Sequence, residues 1–159
     1  MPRTILLNNC LLFLCCSIYL GIGVSLVFFQ FPVAPDLTPE NYKLVFVKPV
    51  FHATDFLTPM TIVIYVTAFV MLMSEWFVGI RWVPIFVLVT ITAATLLTVY
   101  GLFDINNEMK AGVTDPDRLQ ALLAKWMGLN RIRVSIWALQ WLSMMYWFYQ
   151  MAFKARSDR

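Results

Sequence analysis

The stretch that decides the fold spans residues 57–103 and reads LTPMTIVIYVTAFVMLMSEWFVGIRWVPIFVLVTITAATLLTVYGLF. It consists of two apolar runs with a polar break between Glu75 and Arg81. Each run is about 20 residues long, which at about 1.5 Å per helical residue matches the roughly 30 Å hydrocarbon core of a bilayer. Because the break is short and is flanked by Trp76 and Trp82, we expect an antiparallel helical hairpin whose turn lies at the membrane surface.

Two further apolar runs flank this hairpin, so the predicted spans are 5–31, 57–80, 83–103 and 134–153. Backbone groups find no water inside a bilayer, so each span must satisfy its own hydrogen bonds as a helix, and barrel-like alternation is absent. The first run is too long for the h-region of a secretory signal and is expected to be an uncleaved anchor. The sequence predicts an all-α, four-transmembrane-helix bundle that forms one integral membrane domain over residues 1–159.

Composition supports the same class of protein. With 60% hydrophobic and 13% charged residues, the chain leaves no length for a separate soluble domain. The formal charge of +3 is small and the basic residues cluster at the ends of the runs, so membrane lipids are expected partners and nucleic acid is not. Four crossings place both termini on one side, and Arg3 ahead of the first span favours the cytoplasm.

A short interfacial helix is predicted in the first connection. Thr38, Pro39 and Glu40 resemble a helix N-cap, a first-turn proline and a favourable first-turn acid. We expect a helix over residues 39–47 that Lys48-Pro49 then breaks, because proline lacks the backbone N–H.

A second interfacial helix is predicted in the third connection, over about residues 116–127 and ending near Gly128. Four large apolar side chains recur there at helical spacing: Leu119, Leu122, Leu123 and Trp126. Such an amphipathic helix is expected to lie flat at the membrane surface with this stripe turned inward.

Chain direction places several polar side chains on one membrane face. His52, Asp55 and Arg133 are the candidates for a catalytic role, and Gln140 continues the face of Arg133 into the bilayer. Ionisable groups inside a bundle are costly unless paired, so we expect an arginine here to contact Asp55 or Asp104. In the alternative interpretation, the arginines reach lipid headgroups and the asparagines cap helix ends. The predicted ligand or polar cluster comprises Asp104, Asn106, Asn107, Trp126, Asn130, Arg131, Arg133 and Gln140.

Two stripes of small residues predict close helix packing. They recur every four positions in the first and third spans and consist of Ser17, Gly21, Ser25, Thr90, Ala94 and Thr98. Small residues let backbones approach closely where the hydrophobic effect gives little drive for association. The stripes either pack the bundle internally or receive a helix of another subunit. The large aromatic and Met side chains of the second and fourth spans likewise serve packing or form a pocket for a lipophilic ligand.

Recognisable metal and cofactor chemistry is missing from the sequence. His52 is the one histidine, and no acid–histidine set has metal-binding spacing, so neither a metal nor a cofactor is expected. Cys10, Cys15 and Cys16 lie in the first span without a Cys-x-x-Cys pattern and are expected to be buried small apolar residues. A reaction that needs only a base and a hydrophobic pocket stays open.

Three segments together resemble the anthrone-oxygenase-like family of small four-helix membrane proteins. They are residues 21–28 with the following Pro32 and Pro35, residues 104–108 with their paired asparagines, and residues 126–133 with Asn130-x-x-Arg133. The resemblance implies a four-helix bundle and, for some relatives, oxygenation of a polyketide anthrone without a recognised metal. At matching positions it implies roles for Asn106, Asn107, Trp126, Asn130 and Arg133.

Two functions fit these patterns. We expect a non-catalytic accessory or scaffold subunit of a larger membrane complex, such as an electron-transfer or photosynthetic assembly, that packs beside other integral membrane subunits and holds a lipid or quinone. The alternative is a cofactor-independent oxygenase or isomerase for a lipophilic aromatic substrate. In that case His52 or Asp55 is the base, and Arg133, Asn106 and Asn130 orient an oxyanion. A small transporter is disfavoured because no charged relay continues across all four spans.

Overall fold

The computed structural model describes residues 2–77 and 79–157, with side chains up to Lys154. These residues form helices and connecting turns, without strands. α1 is Arg3–Ser25 and continues through a π-helical turn, Leu26–Gln30, and a 3-10 segment, Phe31–Asp36. α2 is Lys48–Glu75, preceded by a π-helical turn, Lys43–Val47. α3 is Trp82–Leu97 and continues through a π-helical turn, Thr98–Leu102, into α4, Phe103–Ala111. The last helix, α5, is Pro116–Ser157. The all-α prediction is confirmed.

The helices join into four long rods. Three of them, Arg3–Asp36, Lys43–Glu75 and Trp82–Ala111, are long and apolar enough to cross a membrane. The fourth rod is α5, and the predicted span 134–153 lies within its C-terminal two-thirds. Val78, inside the predicted span 57–80, lies outside the described residues.

Residues 116–127 are helical as predicted, and so is most of the segment 39–47, but the predicted ends near Gly128 and at Lys48-Pro49 are wrong, because both segments continue into a longer rod. Pro49 falls in the first turn of α2, next to a π-helical turn, and does not end the rod. The π-helical turn Lys43–Val47 continues the rod on the other side of this proline, and residues 39–41 form a turn. Helix α5 likewise passes through Gly128 without a break.

The rods pack in a ring. α1 contacts α2 and α5, and α3 contacts the same two helices. Asn8 donates to the Thr67 carbonyl at 2.9 Å, and Tyr19 pairs with Thr61 at 2.6 Å. Because the α2 partner moves back toward the N-terminus as the α1 residue number rises, these helices are antiparallel. A first core fills the ring and includes Leu12, Ile64, Val87 and Trp147.

A second core lies beyond one end of the ring and explains why α5 is so long. Leu119, Leu122, Leu123 and Trp126 are buried there against the ends of the other rods. The Tyr42 hydroxyl joins the parts of this core, since it accepts from the Val113 N–H at 2.7 Å and donates to the Met109 carbonyl at 2.9 Å. The predicted apolar stripe therefore faces protein inside a folded cap.

Candidate functional site

A cleft of about 290 Å³ lies between α2 and α3. Helix α2 lines it with four polar side chains, Thr54, Thr58, Thr61 and Tyr65, together with Leu57 and Ile62. Helix α3 and its extension contribute Ile91, Ala94, Thr95, Thr98, Val99 and Phe103, and the back wall is Tyr19, Arg133 and Trp137. The cleft thus draws on all four rods.

The cleft opens sideways, away from the centre of the ring. At its mouth Thr58, Ile62 and Val99 are exposed, whereas Tyr19 and Trp137 at its back are buried. At one end of the cleft, Tyr65 and Thr92 join α2 to α3 through a 2.9 Å hydrogen bond between their hydroxyls. A bound molecule would enter between α2 and α3 and would lie partly within the protein.

Arg133 supplies the charge at the back of the cleft. Its Nη1 donates to the Thr98 hydroxyl at 3.1 Å, and its guanidinium lies over the Trp137 ring, 4.7 Å from the centroid. Its Nε is buried and has no hydrogen-bond partner. Among the described side chains, residues 2–77 and 79–154, the one ion pair joins Arg118 to Glu108 at 2.7 Å, so no described carboxylate contacts Arg133. Arg133 is thus a partly buried cation that lines the cleft, and no carboxylate of the described side chains neutralises its charge.

The threonine hydroxyls around the cleft can accept hydrogen bonds from a ligand, whereas Arg133 can only donate them. Thr54, Thr58, Thr95 and Thr98 each donate to the backbone carbonyl one turn earlier in their own helix. Their protons are therefore engaged, and their remaining lone pairs are acceptors. Among the lining side chains, Arg133 Nε and Trp137 Nε1 have no hydrogen-bond partner, so the donors not used within the protein belong to these two residues.

The predicted polar cluster is divided among several places. Arg133 lies in the cleft, whereas Gln140 is buried in the first core, where its Nε2 donates to Cys16 Sγ at 3.4 Å. In the second core Trp126 donates to Asn106 Oδ1 at 3.0 Å, and Asn130 donates to the Trp126 carbonyl at 2.9 Å. The exposed members of the predicted sets are His52, Asp55, Asp104, Asn107 and Arg131.

The predicted contact of an arginine with Asp55 or Asp104 is not formed in the part of the chain that the structure describes. Arg133 bonds to Thr98, as above, and Arg131 lies with its guanidinium 5.6 Å from the Phe31 ring centroid. Both carboxylates are exposed, where water solvates their charge at no cost.

The two small-residue stripes behave differently. Thr90 and Ala94 are buried between α3 and its neighbours, and Thr98 reaches the cleft. In α1, Ser17 accepts from Trp141 Nε1 at 3.0 Å, but Gly21 and Ser25 are exposed.

The four-residue spacing of small residues predicted close helix packing at Gly21, but the close contact between α1 and α5 is at Gly23. A Cβ at Gly23 would lie 2.8 Å from Val134 Cγ2, whereas one at Gly21 would meet nothing within 4 Å. The prediction that all three cysteines are buried is wrong for Cys10, which is exposed.

Sequence reasoning missed most of the cleft wall. Thr54, Thr58, Thr61 and Tyr65 follow one another at i, i+4, i+7 and i+11, a polar stripe on one face of an otherwise apolar helix. That spacing is a usable signal for a polar lining. No such spacing in the sequence identifies Tyr19 as a lining residue. Its hydroxyl donates to the Leu57 carbonyl at 2.8 Å.

Comparison with protein-family models, curated proteins and solved structures finds no match for this chain. The resemblance to the anthrone-oxygenase-like family therefore stays a prediction.

Proposed function

We propose that this chain is an integral membrane protein that crosses the bilayer four times and holds a lipophilic ligand, a lipid or a quinone, in the cleft between α2 and α3. The length and apolar character of three rods support the crossings. So do the large apolar side chains exposed on the outside of the ring, which water would disfavour and lipid would solvate. They include Val66, Phe69, Val89, Leu96, Leu139 and Leu142.

Charged residues support a slab of the expected thickness. On α2 the slab would lie between Asp55 and Glu75, and on α5 between Arg131 and Lys154, which are about 30 to 35 Å apart along each helix axis. This distance matches the hydrocarbon core of a bilayer. The fourth crossing is then residues 134–153, and the second core protrudes from the membrane on the side opposite both termini.

The observation that carries the ligand proposal is the sideways opening of the cleft at this depth. Arg133 lies just inside the boundary set by Arg131, and the cleft extends from it toward the middle of the slab at Tyr65. A molecule with a polar head and an apolar tail matches this gradient, since its head meets Arg133 and its tail meets Leu57, Ile91 and neighbouring lipid. It would enter from the bilayer without crossing water.

A binding role fits the cleft better than the cofactor-independent oxygenase or isomerase. A general base must lie within hydrogen-bond reach of the substrate, directly or through one water. His52 and Asp55 are exposed and do not line the cleft, and Asn106 and Asn130 belong to the second core.

We also propose that the chain is an accessory subunit, in which the outer surface of α1 packs against another integral membrane subunit. Gly21 and Ser25 are exposed on α1 and leave its backbone accessible to a helix of another subunit. Stoichiometric copurification with other integral membrane subunits in mild detergent supports this proposal. A lone monomer or a self-oligomer under the same conditions contradicts it.

The ligand proposal is tested by extracting the purified protein with organic solvent and identifying the released lipophiles by mass spectrometry. The Thr58→Trp variant fills the exposed mouth of the cleft, and Val66→Trp adds the same bulk to α2 outside it. We expect the wild type and Val66→Trp to release a lipophile in near-stoichiometric amount and Thr58→Trp to release little. Equal amounts from all three proteins would contradict a ligand in the cleft.

A further inference from the structure

We infer that the ligand of the cleft carries an anionic oxygen head group, a carboxylate or a phosphate ester, for which Arg133 is the counter-ion. This inference rests on the proposed function and specifies the chemistry of its ligand. It follows from the charge, the hydrogen bonds and the shape around Arg133.

The charge of Arg133 is uncompensated within the protein. An arginine inside the hydrocarbon is costly, and such residues almost always pair with an acid or with backbone carbonyls, or face a cavity. Arg133 has neither kind of partner among the described residues; its one hydrogen bond goes to the neutral Thr98 hydroxyl, and its buried Nε is free. An anion in the cleft would supply the missing negative charge.

The guanidinium is also held in an orientation suited to an anion that presents two oxygens. Its contact with the face of the Trp137 ring fixes the plane of the guanidinium. The hydrogen bond to Thr98 fixes how the guanidinium is rotated within that plane. A guanidinium presents paired N–H groups that match the two oxygens of a carboxylate or phosphate. Lysine, with a point charge on a flexible stem, would not make the same fork.

Neutral head groups fit less well. A quinone carbonyl accepts one hydrogen bond but leaves the cation uncompensated. The threonine hydroxyls on the wall already donate to their own helices, so they give the second carbonyl oxygen of a quinone no donor. The lining therefore favours a ligand with a single anionic oxygen head group, placed against Arg133.

The size of the cleft limits how much of the ligand it encloses. A cavity of about 290 Å³ is at the small end of the range for ligand pockets, which is roughly 300–1,000 Å³. It accommodates a head group and the first part of a chain, and the rest of the chain would lie between the mouth and the surrounding lipid. A fatty acid and an acidic phospholipid share this chemistry.

The test is a competition experiment on the full-length protein in an uncharged detergent. The probe is cis-parinarate, a fluorescent long-chain carboxylate, and the competitors are oleate, methyl oleate, phosphatidylglycerol and decylubiquinone. Oleate should displace the probe about 10- to 100-fold more effectively than methyl oleate, the range expected for a hydrogen bond to a charged partner. Preference for oleate over phosphatidylglycerol assigns the head group to a carboxylate, and the reverse assigns it to a phosphate ester.

Variants separate Arg133 from the rest of the cleft. Arg133→Gln should weaken displacement by oleate about 10- to 100-fold and leave methyl oleate unchanged, and Arg131→Gln, two residues away on the exposed face, should change neither. Equal displacement by oleate, methyl oleate and decylubiquinone in the wild type would overturn the inference, and this comparison needs no variant. It would leave the proposed function intact, whereas binding of every amphiphile by Thr58→Trp as by the wild type would count against the proposed function itself.

Discussion

The guanidinium of Arg133 lies over the indole ring of Trp137, one helical turn along α5, with 4.7 Å between the guanidinium carbon and the ring centroid. Tyr19 meets the same indole edge-to-face, with 5.0 Å between the centroids. α1 and α5 together thus orient the one cation that lines the cleft. A cation over an indole face is stabilised by the negative charge density of the ring.

Substitutions of Trp137 should affect ligand binding according to whether an aromatic face is kept. Trp137→Phe preserves a ring under the guanidinium and should change the affinity for cis-parinarate less than about 3-fold. Trp137→Leu removes the ring and should weaken binding about 3- to 10-fold. A cation–π contact is worth about 0.5 kcal/mol at an exposed site and about 2 kcal/mol at a desolvated one. Fluorescence titration measures both, and equal affinities for the two variants would argue against the orienting role.

Gly23 should be the sensitive glycine of α1. Its missing Cβ allows Val134 and Trp137 of α5 to approach, so Gly23→Ala forces these side chains apart and should destabilise the protein by about 1–3 kcal/mol. Gly21→Ala is the matched control, because alanine there meets open space and gains up to about 1 kcal/mol of helix propensity. Denaturant unfolding in detergent compares them, and the opposite order would contradict the α1–α5 packing.

The Tyr42 hydroxyl should hold the second core together. Tyr42→Phe leaves the Val113 N–H and the Met109 carbonyl without their partner in a buried position, which costs about 1–3 kcal/mol. Hydrogen exchange at the Val113 amide should accelerate accordingly. Tyr100→Phe removes an exposed hydroxyl and should leave that amide unchanged. Unchanged exchange in both variants would show that this hydrogen bond contributes no protection.

The ion pair between Arg118 and Glu108 should matter far less than its good geometry suggests. Arg118 donates from Nε and Nη2 to the two Glu108 oxygens at 2.7 and 2.9 Å, but both side chains are largely exposed. Exposed pairs are screened by water and salt. Arg118→Gln should lower the unfolding midpoint slightly in dilute buffer, and the difference should vanish at about 1 M salt. A large, salt-independent loss would contradict this assignment.

The sequence was sufficient for the helical class and for the parts of the chain that form apolar rods. Length and hydropathy decide those features locally, as in the run from Leu57 to Glu75. The ends of the rods were not predictable in the same way. Pro49 and Gly128 are breakers by propensity, yet tertiary packing in the second core keeps both within continuous helices.

The candidate site was predicted only in part, because it depends on how helices rotate against one another. Arg133 was identifiable as an ionisable residue at the edge of a span, but its partner was not. A rotation that turns Asp55 outward and brings Thr98 to the guanidinium is set by close contacts such as Gly23 with Val134. Those contacts join residues far apart in the chain, and no local pattern specifies them.

Photo-crosslinking in native membranes tests the central claim most directly. A diazirine-bearing fatty acid is activated with the protein in its membrane, and the labelled peptides are mapped by mass spectrometry. We expect the adducts to concentrate on α2 between Thr54 and Tyr65 and on α3 between Ile91 and Val99, and excess oleate to abolish them. Adducts spread evenly over the outer faces of all four rods and unaffected by oleate would contradict a ligand-binding cleft between α2 and α3.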